Sequence, residues 1–498
     1  MTEPTPFAPP PAAQSDSGLL RSLGLFTTIT IIVGGVIGSG IFKKPGVMAA
    51  QVGSPEVLLF VWVLAGVITI FGAMSIAEVA GIIPETGGQY VHFDRIYGPF
   101  VAYLFGWSLF AVVQTGSIAA LAYVCAEAFD RVVPLPELGG TIGGLVLHLP
   151  VIGDIAPFKE AGIKAVALAV IGGLTAVNYL GVRFGGMVQN VSTIAKLAGM
   201  FALVVVAFLL SEVGRVANFT TASATIRPQG VAMIAAVAAA LQGAFWAFDG
   251  WNKLTFIAGE VKEPQRTIPR GLVIGMFIVT AIYLSMTLAY IYVMPVDQMA
   301  VSKLVAADVA ERCVPGGGIW ISVAIVISTF GACNATILAS ARIYFSMARQ
   351  NVFPRFLGAA HPRFHTPAAS LVVQAVWSSV LLFSGTFDTL TDTLIFVSWI
   401  FYAAAAYGVL LLRRRLPDAP RPFRVPGYPV VPWIFVLFAA GYLVMTIYND
   451  IASYQKAVAA GQPGFINSAF GAVLVLAGAP VYFYYRARQR KLAAPLER

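Results

Sequence analysis

The chain has 498 residues, of which 58% are hydrophobic and only 11% charged, with a mean hydropathy of +0.80. So few charges cannot cover a water-facing surface of this size, so the composition excludes a soluble globular protein and makes the bilayer the solvent. A net charge of +9 invites the thought of nucleic acid, but the placement of the charges argues against that partner.

In chain order, residues 1–22 are rich in Pro and Ser, with no basic leader and no cleavage site, and are expected to form a disordered tail. Apolar runs long enough to cross about 30 Å of hydrocarbon then recur. Twelve are expected, at 25–51, 57–83, 98–129, 162–180, 185–211, 230–260, 269–294, 317–348, 367–385, 389–412, 429–449 and 465–485. The ninth and tenth are separated only by Ser384-Gly385-Thr386-Phe387-Asp388. Residues 486–498 form a basic tail.

With the N-terminus in the cytoplasm, 20 Lys and Arg residues fall on the cytoplasmic side and 9 on the other, Lys43 and Lys44 among the latter. Lys164, Lys196 and Lys253 lie within or at the edge of spans. This bias follows the positive-inside rule, so both termini are expected in the cytoplasm and the basic tail is an orientation signal. No nucleic-acid partner is expected.

The first and sixth runs are interrupted. Gly34-Gly35-Val36-Ile37-Gly38-Ser39-Gly40-Ile41-Phe42 places three small residues in a row, and Trp246-Ala247-Phe248-Asp249-Gly250-Trp251-Asn252 puts Asp-Gly in mid-span. Glycine is a poor helix former. Unwound backbone at membrane depth is tolerated only where protein buries it or where it lines a cavity. Paired breaks in corresponding positions of two halves point to a transporter's substrate site. Because an odd number of spans per half inverts the second half, the expected organisation is a first repeat over 23–212, an inverted second over 213–412, and two further helices over 413–485.

A helix that restarts after a break offers free N–H groups and positive potential, and one that stops leaves free carbonyls. The small residues Gly38, Ser39 and Gly40, with Ile41, therefore suit a carboxylate through the N–H groups of Ser39, Gly40 and Ile41. The carbonyls of Val36, Trp246, Ala247 and Asp249 suit an ammonium. Glu78, Gln114, Glu127, Asn178, Asn334 and Gln374 are expected to bridge helices, and Arg342 to snorkel. Cys125, Cys313 and Cys333 are odd in number and widely spaced, and His361 and His365 sit in a proline-flanked loop. Neither set reads as a metal site, and no cofactor is expected. No acid–base pair, phosphate loop or nucleophile motif is present in the sequence, so it does not read as an enzyme.

Several passages resemble the L-amino-acid transporter branch of the amino acid–polyamine–organocation superfamily. They are Gly38-Ser39-Gly40-Ile41-Phe42, Pro84-Glu85-Thr86-Gly87-Gly88-Gln89-Tyr90, and Trp246 to Asn252 followed by Gly259-Glu260 and Ile268-Pro269. Ala341-Arg342, His361-Pro362, Thr366-Pro367 and Arg421-Pro422-Phe423-Arg424 extend the match in colinear order. The resemblance implies an all-α membrane protein of 12 transmembrane helices, built as a five-plus-five inverted repeat with broken first and sixth helices. It implies amino-acid substrates carried without sodium, usually by exchange.

Trp246 then falls at the family's aromatic gate, and Asp249 resembles branch members that accept cationic as well as neutral amino acids. A second reading of Asp249, bracing unwound backbone without meeting substrate, stays open. The resemblance also places the Lys196 ammonium where sodium-coupled relatives hold a cation. There it would reach carbonyls near 35–39, with Tyr283 a hydrogen-bond partner, and Asn252 is grouped with these two as a coupling or gating residue. Members with a disulfide-linked heavy chain carry a cysteine after the third span. Here residues 131–161 contain none, so no such partner is expected. The expectation is a sodium-independent antiporter of neutral L-amino acids in the cytoplasmic membrane, working by alternating access, with cationic substrates as an open extension. A proton-coupled symporter is the alternative, followed by a cationic amino-acid or polyamine exchanger.

Overall fold

A computed structural model of the chain describes residues 23–493, apart from 86, 87, 140–143, 150–152, 181, 211, 365, 385 and 463. The expected N-terminal tail, residues 494–498 of the basic tail, part of the Pro84–Tyr90 motif and His365 lie outside the described residues.

The first span is two helices, α1 (Leu25–Val36) and α2 (Gly40–Val52), bent by 45° at the break. Gly53, at φ +61°, ends α2 in the left-handed conformation that glycine adopts freely. Pro55 at the first turn and the Ser54 hydroxyl, which accepts from Val57 N–H at 3.2 Å, start α3 (Pro55–Ile82). The short α4 (Gln89–Tyr97) leads into α5 (Pro99–Asp130), which carries one π-turn at Leu109–Val113. A two-stranded antiparallel ribbon follows, β1 (Leu147–Leu149) on β2 (Gly153–Ile155). It is a small departure from the all-α expectation. Next come α6 (Ala161–Leu180), α7 (Val182–Val205) and α8 (Val231–Phe248).

After α8 the chain is extended at Asp249 (ψ 152°) and left-handed at Gly250 (φ +97°), then resumes as a tighter 3-10 helix over Trp251–Glu260. The remaining helices are α9 (Pro264–Val293), α10 (Val296–Ala300), α11 (Val305–Cys313), α12 (Gly317–Arg349), α13 (Ala368–Ser384), α14 (Phe387–Arg415), α15 (Val430–Ala459), α16 (Asn467–Leu476) and α17 (Gly478–Ala493).

Among the described residues nine spans are long and apolar enough to cross a membrane, and the bent α1–α2 pair makes a tenth. The expected fifth and ninth spans coincide with the shorter apolar stretches Ile194–Leu209 and Ala368–Ser384. The chain is a multi-pass, all-α membrane protein. Leu437 and Val444 on α15 stay mostly uncovered by protein, as expected for a face solvated by lipid.

Packing brings the two broken spans together: α2 lies against α8, and α1 against α9. Gly40 makes the first contact possible, since a Cβ there would sit 2.4 Å from the Ala247 Cα. The side of the membrane that holds the start of α1 is called the near side here, and the end of α2 reaches the far side.

On the near side, Glu78 of α3 is buried and receives Arg413 Nε and Nη2 at 2.7 and 2.8 Å and Val425 N–H at 2.7 Å. Forked pairs of this kind are strong and directional. Arg413 also stacks its guanidinium 3.8 Å from the centre of the Tyr428 ring. Removing one partner of a buried pair costs about 3–5 kcal/mol. Glu78→Ala is therefore expected to lower the thermal unfolding midpoint in detergent markedly, and Glu78→Gln by less. Size-exclusion fluorescence after heating measures both.

Candidate functional site

Both breaks meet at one place, and their freed carbonyls are claimed by two side chains. Lys196, on α7 and almost fully buried, donates its ammonium to the carbonyls of Gly34 and Ile37, the latter at 2.6 Å. Tyr283, on α9 and fully buried, places its hydroxyl 2.7 Å from the Ala247 carbonyl and 3.3 Å from that of Val36. A phenol has one proton, so the Ala247 carbonyl holds it and the Val36 carbonyl keeps spare capacity. The Trp246 carbonyl takes the Asp249 N–H at 3.2 Å. Of the four carbonyls named from the sequence, two are thus already engaged.

The N–H groups at the start of α2 have no side-chain cap, because Ser39 is itself near helical geometry and its hydroxyl accepts from the Trp246 indole at 3.2 Å. First-turn N–H groups lack intrahelical partners, so Ser39, Gly40 and Ile41 present donors at the break. Gly38 differs from Gly40: a Cβ there would meet Leu121 at 3.7 Å and the Val36 carbonyl at 3.9 Å, both ordinary contacts.

On the far side the break is roofed. Trp246 meets Phe387 edge to face, ring centres 5.8 Å apart. Lys43 and Lys44 each hold Nζ 4.9 Å from the centre of the same Phe387 ring. Lys43 pairs with Glu127 of α5, and Lys44 with Asp388 and Asp392 of α14 at 2.7 and 3.5 Å. Both lysines are buried inside the bundle. This corrects their reading as far-side orientation charges, and taking them out of that count sharpens the near-side basic bias.

On the near side of the break lies a small cavity. Asp249, Asn252 and Lys253 line it together with Gln114, Ser398 and Tyr402. The Asp249 carboxylate accepts from the Tyr402 hydroxyl at 2.7 Å. Asn252 faces Gln89 of α4, amide to carbonyl at 2.5 Å, and so ties the 3-10 segment to a near-side helix. Asn178 joins Asn334, and Gln374 joins Ser340 and the Ile337 carbonyl, all as helix bridges. Glu127 also bridges two helices, α5 to α2 through Lys43, while Gln114 lines the near-side cavity. Among the described residues no group of three His, Cys, Asp or Glu is arranged to hold a metal ion.

Lys253, noted in the sequence as a span or span-edge charge, and Phe387 and Asp388, noted between the ninth and tenth spans, had been given no role at the site, and Tyr402 and Asp392 had not been named. A signal existed for some of them. Two adjacent lysines inside an apolar span require counter-charges, and Asp388 and Asp392 sit four apart, on one face of a helix.

A family model described as amino acid permease matches residues 23–452. The serine/threonine exchanger SteT of Bacillus subtilis (strain 168) is 31% identical over 95% of this chain and 99% of its own length. The b(0,+)-type amino acid transporter 1 of Mus musculus is 29% identical over 88% of this chain and 84% of its own. The human cystine/glutamate transporter is 27% identical over 95% and 87%.

Two outcomes follow from the geometry. A methyl at position 40 wedges α2 away from α8, so Gly40→Ala should abolish amino-acid binding in a protein that still elutes as one species, as measured by scintillation proximity. Gly40→Val should do the same. Lys44→Met removes two ion pairs from the roof. In a cysteine-free background carrying Ser39→Cys, it should speed labelling by an impermeant thiol reagent from the far side, about tenfold for each 1.4 kcal/mol of closure lost.

Proposed function

Because the chain belongs to the amino acid permease family, and so is an amino-acid transporter rather than an enzyme, we propose that it is a sodium-independent antiporter of neutral L-amino acids. It works by alternating access in the cytoplasmic membrane, with both termini in the cytoplasm, so that the near side is cytoplasmic and the far side external. Residues 23–212 and 213–412 form its two inverted repeats, each opening on an interrupted helix. Helices over 413–485 complete it, and no disulfide-linked heavy chain is needed.

The observation that carries this reading is the Lys196 ammonium lodged between the Gly34 and Ile37 carbonyls. An ammonium tethered there does for the unwound first helix what a bound sodium ion would otherwise do. The substrate carboxylate takes the N–H groups of Ser39, Gly40 and Ile41, beside Gly38. Its ammonium takes the spare acceptor capacity of the Val36 carbonyl with those of Trp246, Ala247 and Asp249. Trp246 covers the substrate toward the roof. Tyr283 couples the two breaks by touching both, and Asn252 links the sixth span to the near-side helix α4.

The test is counterflow. Proteoliposomes loaded with unlabelled amino acid should accelerate uptake of labelled substrate equally with and without sodium, and sodium stimulation would refute the reading. A second reading, proton-coupled symport, is favoured by the titratable groups Lys196 and Asp249 at the breaks. Uptake into empty vesicles driven by a pH gradient would select it.

Lys196→Ala leaves two carbonyls at membrane depth without a donor. Exchange should slow by about tenfold or more, as expected for about 1.4 kcal/mol at the barrier. The loss should also be unequal in the two directions, shown as a changed ratio of the apparent KM values measured from the two sides. Full exchange by this variant would exclude the role given to Lys196.

A further inference from the structure

Lys253 is the charged residue at the breaks whose part is not yet assigned. It lines the near-side cavity beside Asp249, four residues on across the interruption. A lysine at this depth would ordinarily extend its ammonium toward water. Lys253 instead folds back over the break. A Cβ built on Gly250 would lie 3.4 Å from its Cε and 3.5 Å from its Nζ. Among the described residues no carboxylate forms an ion pair with it, and Asp249, on the wall of the same cavity, accepts from a neutral group, the Tyr402 hydroxyl at 2.7 Å.

Apart from the ion pairs of the roof, the charged residue types at the breaks among the described residues are two lysines, Lys196 and Lys253, and one carboxyl, Asp249. Lys196 is satisfied by carbonyls alone. A zwitterionic amino acid with an uncharged side chain leaves this balance as it is. A basic side chain seeking Asp249 has to displace a lysine that is already there and add a third cation to a region of low dielectric.

We propose that Lys253 is a specificity-determining residue: folded back on the break beside Asp249, its ammonium occupies the place that the cationic side chain of lysine, arginine or ornithine would take. The pathway therefore admits zwitterionic amino acids with uncharged side chains and excludes basic ones. Asp249 alone would have been a receptor for cationic substrates. Asp249 with a tethered ammonium is a filter against them. The proposal deepens the reading of these breaks as the amino-acid site and rests on it.

Equilibrium binding in detergent tests it independently of transport mode. Purified wild type is saturated with tritiated L-leucine or L-serine by scintillation proximity, and L-arginine and L-lysine are titrated as competitors. The quantity read is the ratio of the basic to the neutral inhibition constant. It should be large in the wild type, fall at least tenfold in Lys253→Gln and Lys253→Met, and stay high in Lys253→Arg, which keeps the charge. Asp249→Asn combined with Lys253→Gln should lose the gain. A merely structural role would move both constants together and leave the ratio alone.

Tight arginine binding by the wild type overturns the proposal whatever the variants do. So does an unchanged ratio in a Lys253→Gln or Lys253→Met protein that binds leucine or serine. Failure of counterflow in the wild type, with these ratios as expected, would instead remove the exchange reading and leave the filter standing.

Discussion

An unwound helix in hydrocarbon leaves carbonyls that no water can reach, and each unmet group costs free energy on the scale of several kcal/mol. The arrangement of this protein follows from how that cost is met. Lys196 serves Gly34 and Ile37 with one ammonium, and Tyr283 serves Ala247 with one hydroxyl while lying close to Val36. Each donor comes from a helix other than the one it repairs, so α7 and α9 are fixed against the breaks. Trp62 of α3 and Phe248 pack edge-on around the Tyr283 ring, centres 5.4 and 5.1 Å away. The hydroxyl is thereby aimed by aromatic packing and has little freedom to leave.

The two sides of the break are sealed by different chemistry. The far side is closed by Lys43 and Lys44 with three carboxylates, wrapped around the Phe387 ring. Such pairs are stable while dry, and water admitted between them reduces their attraction several-fold. The near side is held by the amide pair Asn252–Gln89 and, further out, by Glu78 with Arg413. A small cavity lined by Asp249, Asn252 and Lys253 lies beside the first of these ties.

How far the sequence disclosed this depends on the range of each interaction. The breaks themselves were legible, since Gly38-Ser39-Gly40 and Asp249-Gly250 are local backbone statements. Most spans were legible from hydropathy alone. The 45° bend in the first span was not, nor was the 3-10 helix as which the sixth span resumes after its break. The strands Leu147–Leu149 and Gly153–Ile155 have three residues each, too few for an alternating pattern to be read. Least legible was the roof. Lys44 and Asp388 are 344 positions apart, and a charge pattern within one segment cannot name its partner in another. The lysines were visible as residues and invisible as part of an ion-paired roof.

Fixed internal charge also bears on energetics across the membrane. A coupling ion that travels with its substrate brings the membrane potential into the cycle, at about 2.3 kcal/mol per elementary charge for each 100 mV. Lys196 and Lys253 are bound to the chain, and Asp249 with them, so none of the three crosses from one face to the other with the cargo. On the proposed reading the only charge that moves fully is the substrate's own. If that is a zwitterion with an uncharged side chain, and one leaves for each that arrives, the completed exchange transfers no charge and the potential cannot drive it. Net direction is then set by the amino-acid pools alone. That condition depends on excluding basic substrates, which would carry a positive charge inward against a neutral one outward. Charge selectivity at the break and insensitivity to membrane potential are therefore one property, and a tethered ammonium beside Asp249 is a sufficient means of securing both.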